Sequence, residues 1–218
     1  MRLDGLEGGG FRLTLEDGAA VDADAVVLAT PAMDASKLLG GLDPALSDRL
    51  AAIRYVSTAV VSFGYRGASL PRPLDGFGFV IPGKERRRIT GCTWSSSKFE
   101  NRAAHGSALV RCFLGGATDQ SSALLPEEEM VRVAREELRD LMGITADPIL
   151  IDVRRWKDSH PQYDVGHLDR LAEMELLLAR HPGLHLAGSS YRGVGLPDCI
   201  HSGALASEAI LKDRRRKE

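Results

Sequence analysis

The sequence predicts an α+β protein, and three patterns carry that expectation. Residues 57–115 hold a succession of period-two segments, residues 126–142 an amphipathic helical pattern, and both ends of the chain couple short apolar strands to helices. Runs of strand followed by runs of helix, rather than strict alternation of the two, give this class.

Taken in order, a Gly-rich opening (Gly8, Gly9, Gly10) leads into "FRLTLEDGAAVDADAVVLATP", which alternates apolar and polar residues and turns at Asp17-Gly18. That is a hairpin feeding a buried strand, the apolar run Ala25 to Ala29. Pro31 ends the run because it lacks the N–H a further ladder bond needs, and helical patterns follow at Ala32 to Leu39 and Pro44 to Ile53. From Ser57, "STAVVSFGY", "GFGFVIP", "RITGCTW" and "SALVRCFLGG" read as four strands of an antiparallel sheet. Pro126 opens a helix to Met142, with Glu127, Glu128 and Glu129 at its positive end and Met130, Val133, Ala134, Leu138 and Leu141 at helical spacing. Gly143 stops it. "PILIDVRRW" is a further strand and "KDSHPQYDVGH" a connection. His167 to Arg180 is a helix broken by His181-Pro182-Gly183, "LHLAGSS" a last short buried strand, and a final helix starts at about Asp198.

Composition narrows the function. The 218 residues are enough to bury roughly 70% of the unfolded surface. With 28 Lys+Arg against 30 Asp+Glu, no electrostatic signature of a nucleic acid or anionic membrane partner is present. The basic residues at 214–217 read as a solvated helix end. Cys92, Cys112 and Cys199 have neither disulfide-framework nor zinc spacing, which points to a reducing compartment. No apolar run reaches the roughly 18 residues of a membrane span, and residues 1–5 lack a signal-peptide core, so a cytoplasmic protein is expected.

Metal and hydrolase chemistry find little support. His181 and His185 are four apart, but Pro182 and Gly183 deny them a common helical face, so no metal site is expected. Ser189-Ser190 lacks the Gly-x-Ser-x-Gly elbow. The stretch "HLAGSSYRGVGLPDCIHSGALASEAI" is more informative: Gly193-Val194-Gly195 lets backbone approach a ligand closely, and Asp198 is a candidate N-cap. The helix after it would carry Ile200, Ala204, Ser207 and Leu211 on one face. A strand, a glycine loop and a helix N-terminus suit electron-rich atoms, although the same pattern also reads as a tight strand-to-helix turn. It is not a pyrophosphate loop, because Asp198 stands at the third glycine position of the dinucleotide fingerprint.

"ADAVVLATPA", "GFGFVIP", "GCTWSSSKFENRA", "RRWKDSHPQYDVGH" and "LAGSSYRGVGLPDCIHSGALASEAI", in that order, make the chain resemble the oxygen-dependent protoporphyrinogen and coproporphyrinogen oxidases, FAD enzymes of haem biosynthesis. The last two blocks are the specific ones. The resemblance implies that Ala29, Thr30 and Pro31 end a strand beneath FAD, that Trp156 packs near the flavin, and that Val194, Gly195 and Leu196 contact it. It implies the C-terminal pieces of an FAD/NAD(P)-binding Rossmann-like domain at residues 1–54 and 158–218. Residues 55–157 would form a substrate-binding sheet domain, with the helix at 126–142, roofing the flavin. A helix N-terminus near flavin N1 would stabilise the charge that hydride transfer to N5 develops. The implied reaction removes six electrons from a porphyrinogen in three flavin cycles, each reoxidised by O2 with release of hydrogen peroxide.

From the residues alone, Trp156 reads equally as a core or rim tryptophan, and Gln162 and Tyr163 as turn residues after Pro161. Phe77 to Ile81 could wall a porphyrin pocket or simply fill a core. The family's opening strand, Gly-x-Gly-x-x-Gly turn and helix are not read here. Gly5 to Gly10 is no substitute, since no strand is expected before it and "FRLTLEDG" after it reads as strand. Nor does the family's membrane-contacting helical region correspond to any segment here. The expectation is therefore the C-terminal part of such an oxidase, binding FAD weakly and inactive alone, with its substrate either coproporphyrinogen III or protoporphyrinogen IX. A stand-alone porphyrin-binding module and an amine-oxidase-like flavoenzyme of other substrate are the alternatives.

Overall fold

In a computed structural model, residues 1–215 are described, with side chains described to residue 213, so the basic residues at 214–217 lie outside the described side chains. The chain divides into two compact units: Met1–Arg54 together with the chain from Pro161 onward, and Tyr55–His160.

The first unit opens with an antiparallel sheet of β1 (Arg2–Gly5), β2 (Phe11–Thr14) and β3 (Ala20–Ala23), in that order. A strand therefore does precede the Gly-rich run, contrary to the expectation. It is a short one whose only large apolar residue, the fully buried Leu3, gives no period to read. Gly8, Gly9 and Gly10 all take positive φ and reverse the chain into β2, which makes the run a hairpin turn. Asp17 and Gly18 form the second turn as expected, the Asp17 carboxylate accepting the Ala19 N–H at 3.0 Å.

Next come β4 (Val26–Leu28), α1 (Ala32–Leu39) and α2 (Pro44–Ala51). Asp43 caps α2, accepting the Leu46 N–H at 3.0 Å, and Pro44 occupies the first turn, where its missing donor is harmless. β4 is not the buried strand expected of an apolar run. Its one hydrogen-bonded neighbour is a parallel strand from the far end of the chain (Leu184–Leu186), so Leu28 is buried while Val27 is 38% exposed and Ala29 and Thr30 are exposed.

The second unit is a five-stranded sheet with one long helix packed on a face. β5 (Tyr55–Arg66), β6 (Gly78–Val80), β7 (Gly91–Trp94) and β8 (Ser107–Gly115) are followed by β9 (Leu150–Pro161), and the order is β6-β7-β8-β5-β9. The β6–β7, β7–β8 and β8–β5 pairings are antiparallel, as the period-two segments predict. A one-turn helix, α3 (Ser95–Lys98), follows β7. α4 (Glu127–Met142) ends at Gly143 in the left-handed conformation (φ 70°), where the Gly143 N–H returns to the Arg139 carbonyl. Met130, Val133, Ala134 and Leu138 of α4 bury against Ala59, Val61 and Phe63 of β5 and Val110, Cys112 and Leu114 of β8. These residues alternate along each strand, so the core lies on one sheet face.

β9 departs from the sequence reading, running past Trp156 through Lys157 to Pro161, where a loop was expected. As a largely exposed edge strand it can be polar, so it carries no alternation to detect. Asp158 sits there at φ 45°, its N–H donated to Ser57 Oγ at 2.9 Å.

Back in the first unit, α5 (His167–Leu178) leads to β10 (Leu184–Leu186) and α6 (Leu196–Arg215). Leu184 is buried, but His185 and Leu186 are only half-buried, so "LHLAGSS" is a shorter and less buried strand than expected. On α6, Ala206 is the buried contact, whereas Ile200 is 74% exposed and Ala204, Ser207 and Leu211 are also exposed. The face that carries these four residues is the outward one.

Candidate functional site

β4 and β10 run parallel, Leu184 opposite Val26 and Leu186 opposite Leu28. Parallel neighbours release the chain at the same end, so Ala29-Thr30-Pro31 and the loop after Leu186 both leave from the carboxyl edge of this pair. Each then enters a helix, α1 or α6. Convergence of strand C-termini and helix N-termini is the place where α/β sheets bind ligands.

The loop from Gly188 to Leu196 is held by side chains from "HPQYDVGH". Tyr163 Oη donates to the Ser189 carbonyl at 2.7 Å and accepts the Gly193 N–H at 2.9 Å. His167 stacks on the Tyr163 ring, centroids 4.0 Å apart, and its Nε2 lies 2.7 Å from the Tyr191 carbonyl. Asp164 takes a two-pronged contact from Arg54, 3.0 Å from Nε and 2.7 Å from Nη2. The Arg54 contact and charge outweigh desolvation and hold the Asp164 carboxyl below its ordinary value. Tyr163 was read only as a turn residue and His167 only as a helix start.

The glycines of the loop answer to Asp198. α6 begins at Leu196, two residues before the expected start, with Pro197 in the first turn. Asp198 is therefore inside the helix rather than its N-cap, and its carboxylate reaches back to accept the Gly195 N–H at 3.2 Å. A Cβ on Gly193 would stand 2.5 Å from Asp198 Cγ, and one on Gly195 2.9 Å from Asp198 Oδ2. The close approach these glycines permit is first of all that of their own carboxylate.

Of the six residues singled out for a cofactor, Ala29 and Thr30 directly follow β4 and are exposed, while Val194 and Gly195 lead into α6, of which Leu196 is the first residue. Val194 and Leu196 present 62% and 80% of their surfaces. Short contacts link the two places: the Ala187 N–H bonds the Leu28 carbonyl at 3.1 Å, and the Gly188 N–H bonds Ser202 Oγ of α6 at 2.9 Å. Trp156 belongs to the second unit, half-exposed on β9. A cavity of about 820 Å³ in the first unit is lined by Leu171, Met174, Leu184, His185, Leu205 and Ala206 among others, and does not include Val194 or Leu196. No group of three metal-ligating side chains occurs among the described residues. No helix among them is long and apolar enough to cross a membrane.

Residues 2–211 match the family described as flavin containing amine oxidoreductase. The chain is 37% identical over 202 residues to the coproporphyrinogen III oxidase of Bacillus subtilis (strain 168), covering 92% of this chain and 43% of that protein. It is 34% identical over 209 residues to the protoporphyrinogen oxidase of Bos taurus, covering 93% and 43% respectively. A crystal structure from Exiguobacterium sp. 255-15, provisionally named a protoporphyrinogen oxidase, superimposes with a TM-score of 0.80 at 30% identity, over 97% of this chain and 46% of that one. The chain thus spans less than half the length of these relatives.

Proposed function

The chain belongs to the flavin containing amine oxidoreductase family, and from that premise we propose that the protein carrying it is an FAD-dependent porphyrinogen oxidase of haem biosynthesis. It would convert coproporphyrinogen III or protoporphyrinogen IX to the porphyrin in the cytoplasm. The single observation that carries this reading to particular residues is the open edge where β4 and β10 end and α6 begins.

What supports a flavin there is the chemistry of the residues present. Val194 and Leu196 offer exposed apolar side chains for a flat ring, Ala29 and Thr30 add little bulk at the neighbouring strand end, and the start of α6 supplies a positive dipole end. Gly195 keeps its backbone low beside Asp198, and Tyr163 pins Gly193, so the loop is held before any ligand arrives. Trp156 is proposed as a further flavin neighbour. A flavin held at this edge would supply the acceptor for the six electrons lost by the porphyrinogen, in three two-electron rounds with O2 reduced to hydrogen peroxide in each. The sheet of Tyr55–His160 is proposed to face the tetrapyrrole.

The test supplies the complete protein with FAD and coproporphyrinogen III or protoporphyrinogen IX in air. Porphyrin fluorescence should rise with three peroxides released per porphyrin. Oxidation of simple amines with neither porphyrinogen consumed would overturn the reading.

A further inference from the structure

One arginine occupies a position that the core does not explain. Along β8, Val110, Cys112 and Leu114 lie in the core beneath α4 and the buried Ala108 shares their face, so Leu109, Arg111 and Phe113 point to the other sheet face. Arg111 is near the middle of β8, the central strand of the five. In register with it are Thr93 on β7 and Ser62 on β5, which places a hydroxyl on either side of the guanidinium.

The rows beside this polar one are apolar. One is Val80, Gly91, Phe113 and Val60, with Val80 85% exposed and Gly91 contributing no side chain; on the other side Leu109 faces Gly64. The guanidinium carbon lies 5.8 Å from the centre of the Phe113 ring. Arg111 is half-buried, yet among the described residues no carboxylate pairs with it, whereas Arg12, Arg54 and Arg135 are each matched by one and Arg132 by two.

A guanidinium held at mid-sheet with its forked donors uncommitted, two hydroxyls in its row and an apolar surround, is suited to one kind of guest. That guest is a carboxylate carried on a large apolar body. The carboxylate would take the Arg111 fork with Thr93 and Ser62 beside it. The body would lie over Phe113, Leu109 and Val80. Resting on the tetrapyrrole reading above, we propose that Arg111, with Thr93 and Ser62, binds a propionate carboxylate of the substrate and fixes how the macrocycle sits on this sheet face.

The test uses the complete protein and two probes, coproporphyrin III and its tetramethyl ester, followed by porphyrin fluorescence. Arg111→Met should weaken the free acid by roughly tenfold or more, and Arg111→Lys should restore part of that loss. The ester should bind wild type and Arg111→Met alike, which shows the sheet face intact. Equal binding of the acid by wild type and Arg111→Met, or parallel loss of acid and ester, overturns the assignment while leaving the tetrapyrrole reading standing. A complete wild-type protein that binds neither probe overturns that reading and the assignment with it.

Discussion

The carboxylate of Asp198 accepts the Gly195 N–H at 3.2 Å and fills the space that a side chain on Gly195 would enter, 2.9 Å away. The same carboxylate crowds Gly193 even more closely, at 2.5 Å. Loop and helix start are thus one packed unit.

Gly193→Ala should displace the Asp198 carboxylate and cost about 1–3 kcal/mol of stability. Asp198→Ala, which loses the contact to Gly195 and an acidic group in the first turn, should cost about 1 kcal/mol. Alanine at 198 keeps the Cβ that would stand 2.6 Å from one on Gly193 but removes the Cγ and Oδ2 contacts at 2.5 Å, so part of the clash goes and the double variant should be less destabilised than the sum of the two. Urea unfolding of all four proteins measures that coupling. Strict additivity would mean that the glycine answers to something other than Asp198.

How much of this was legible depends on whether each contact is local. β5, β8 and α4 could be read because burial on one face writes itself as a period of two or 3.6, and because Gly143 closes the helix. The extension of β9 to Pro161 was not legible, since "KDSHP" lies on an exposed edge. The pairing of Val26 with Leu184 joins segments far apart in the chain, and no local pattern encodes it. At the proposed flavin edge it is the family resemblance, not the spacing of the loop, that points to Val194, Gly195 and Leu196, and Tyr163 as the brace of Gly193 has no local signature, because a hydroxyl reaching across a fold leaves no period. The start of α6 was misplaced because Asp198 is as good a first-turn residue as a cap.

Alkaline pH should expose the burial of Tyr65, which is 1% accessible on β5. Desolvation first, and then the neighbouring Cys112, push its hydroxyl up to about 12. The unfolded value is about 10, so the contribution to stability is complete below that pH and is lost as pH rises from about 10 toward about 12. Tyr65→Phe should unfold with a flatter pH dependence across that interval, seen by comparing urea midpoints of the two proteins at either end. Parallel curves for variant and wild type would sink the assignment.

Thiol chemistry should separate the three cysteines. Cys92 and Cys112 are buried and directly opposite one another on β7 and β8, while Cys199 on α6 is half-exposed. A hydrogen bond with Cys92, and then burial, push the Cys112 thiol up, which lowers its thiolate fraction. Iodoacetamide under native conditions should label Cys199 first, and Cys112 only on unfolding, as peptide mass spectrometry would report. Native labelling of Cys112 at the rate of Cys199 would contradict this packing.

Val194 and Leu196 provide the most direct test of the flavin edge, because both are exposed enough to change without disturbing the core. Val194→Asp with Leu196→Asp should cost no more than about 1 kcal/mol of urea stability, because both side chains are exposed although their backbone belongs to the packed loop and helix start. Bound flavin would then meet two carboxylates in place of two apolar side chains, at the helix end proposed to stabilise developing negative charge. FAD affinity, followed by quenching of flavin fluorescence, should fall by about tenfold or more, the effect of some 1.4 kcal/mol. Leu176→Asp supplies the control: it is 73% exposed on α5, outside the proposed edge, and should leave FAD binding unchanged. If the double variant binds FAD as wild type does, the ring does not rest on Val194 and Leu196, and the site must be sought elsewhere on the protein.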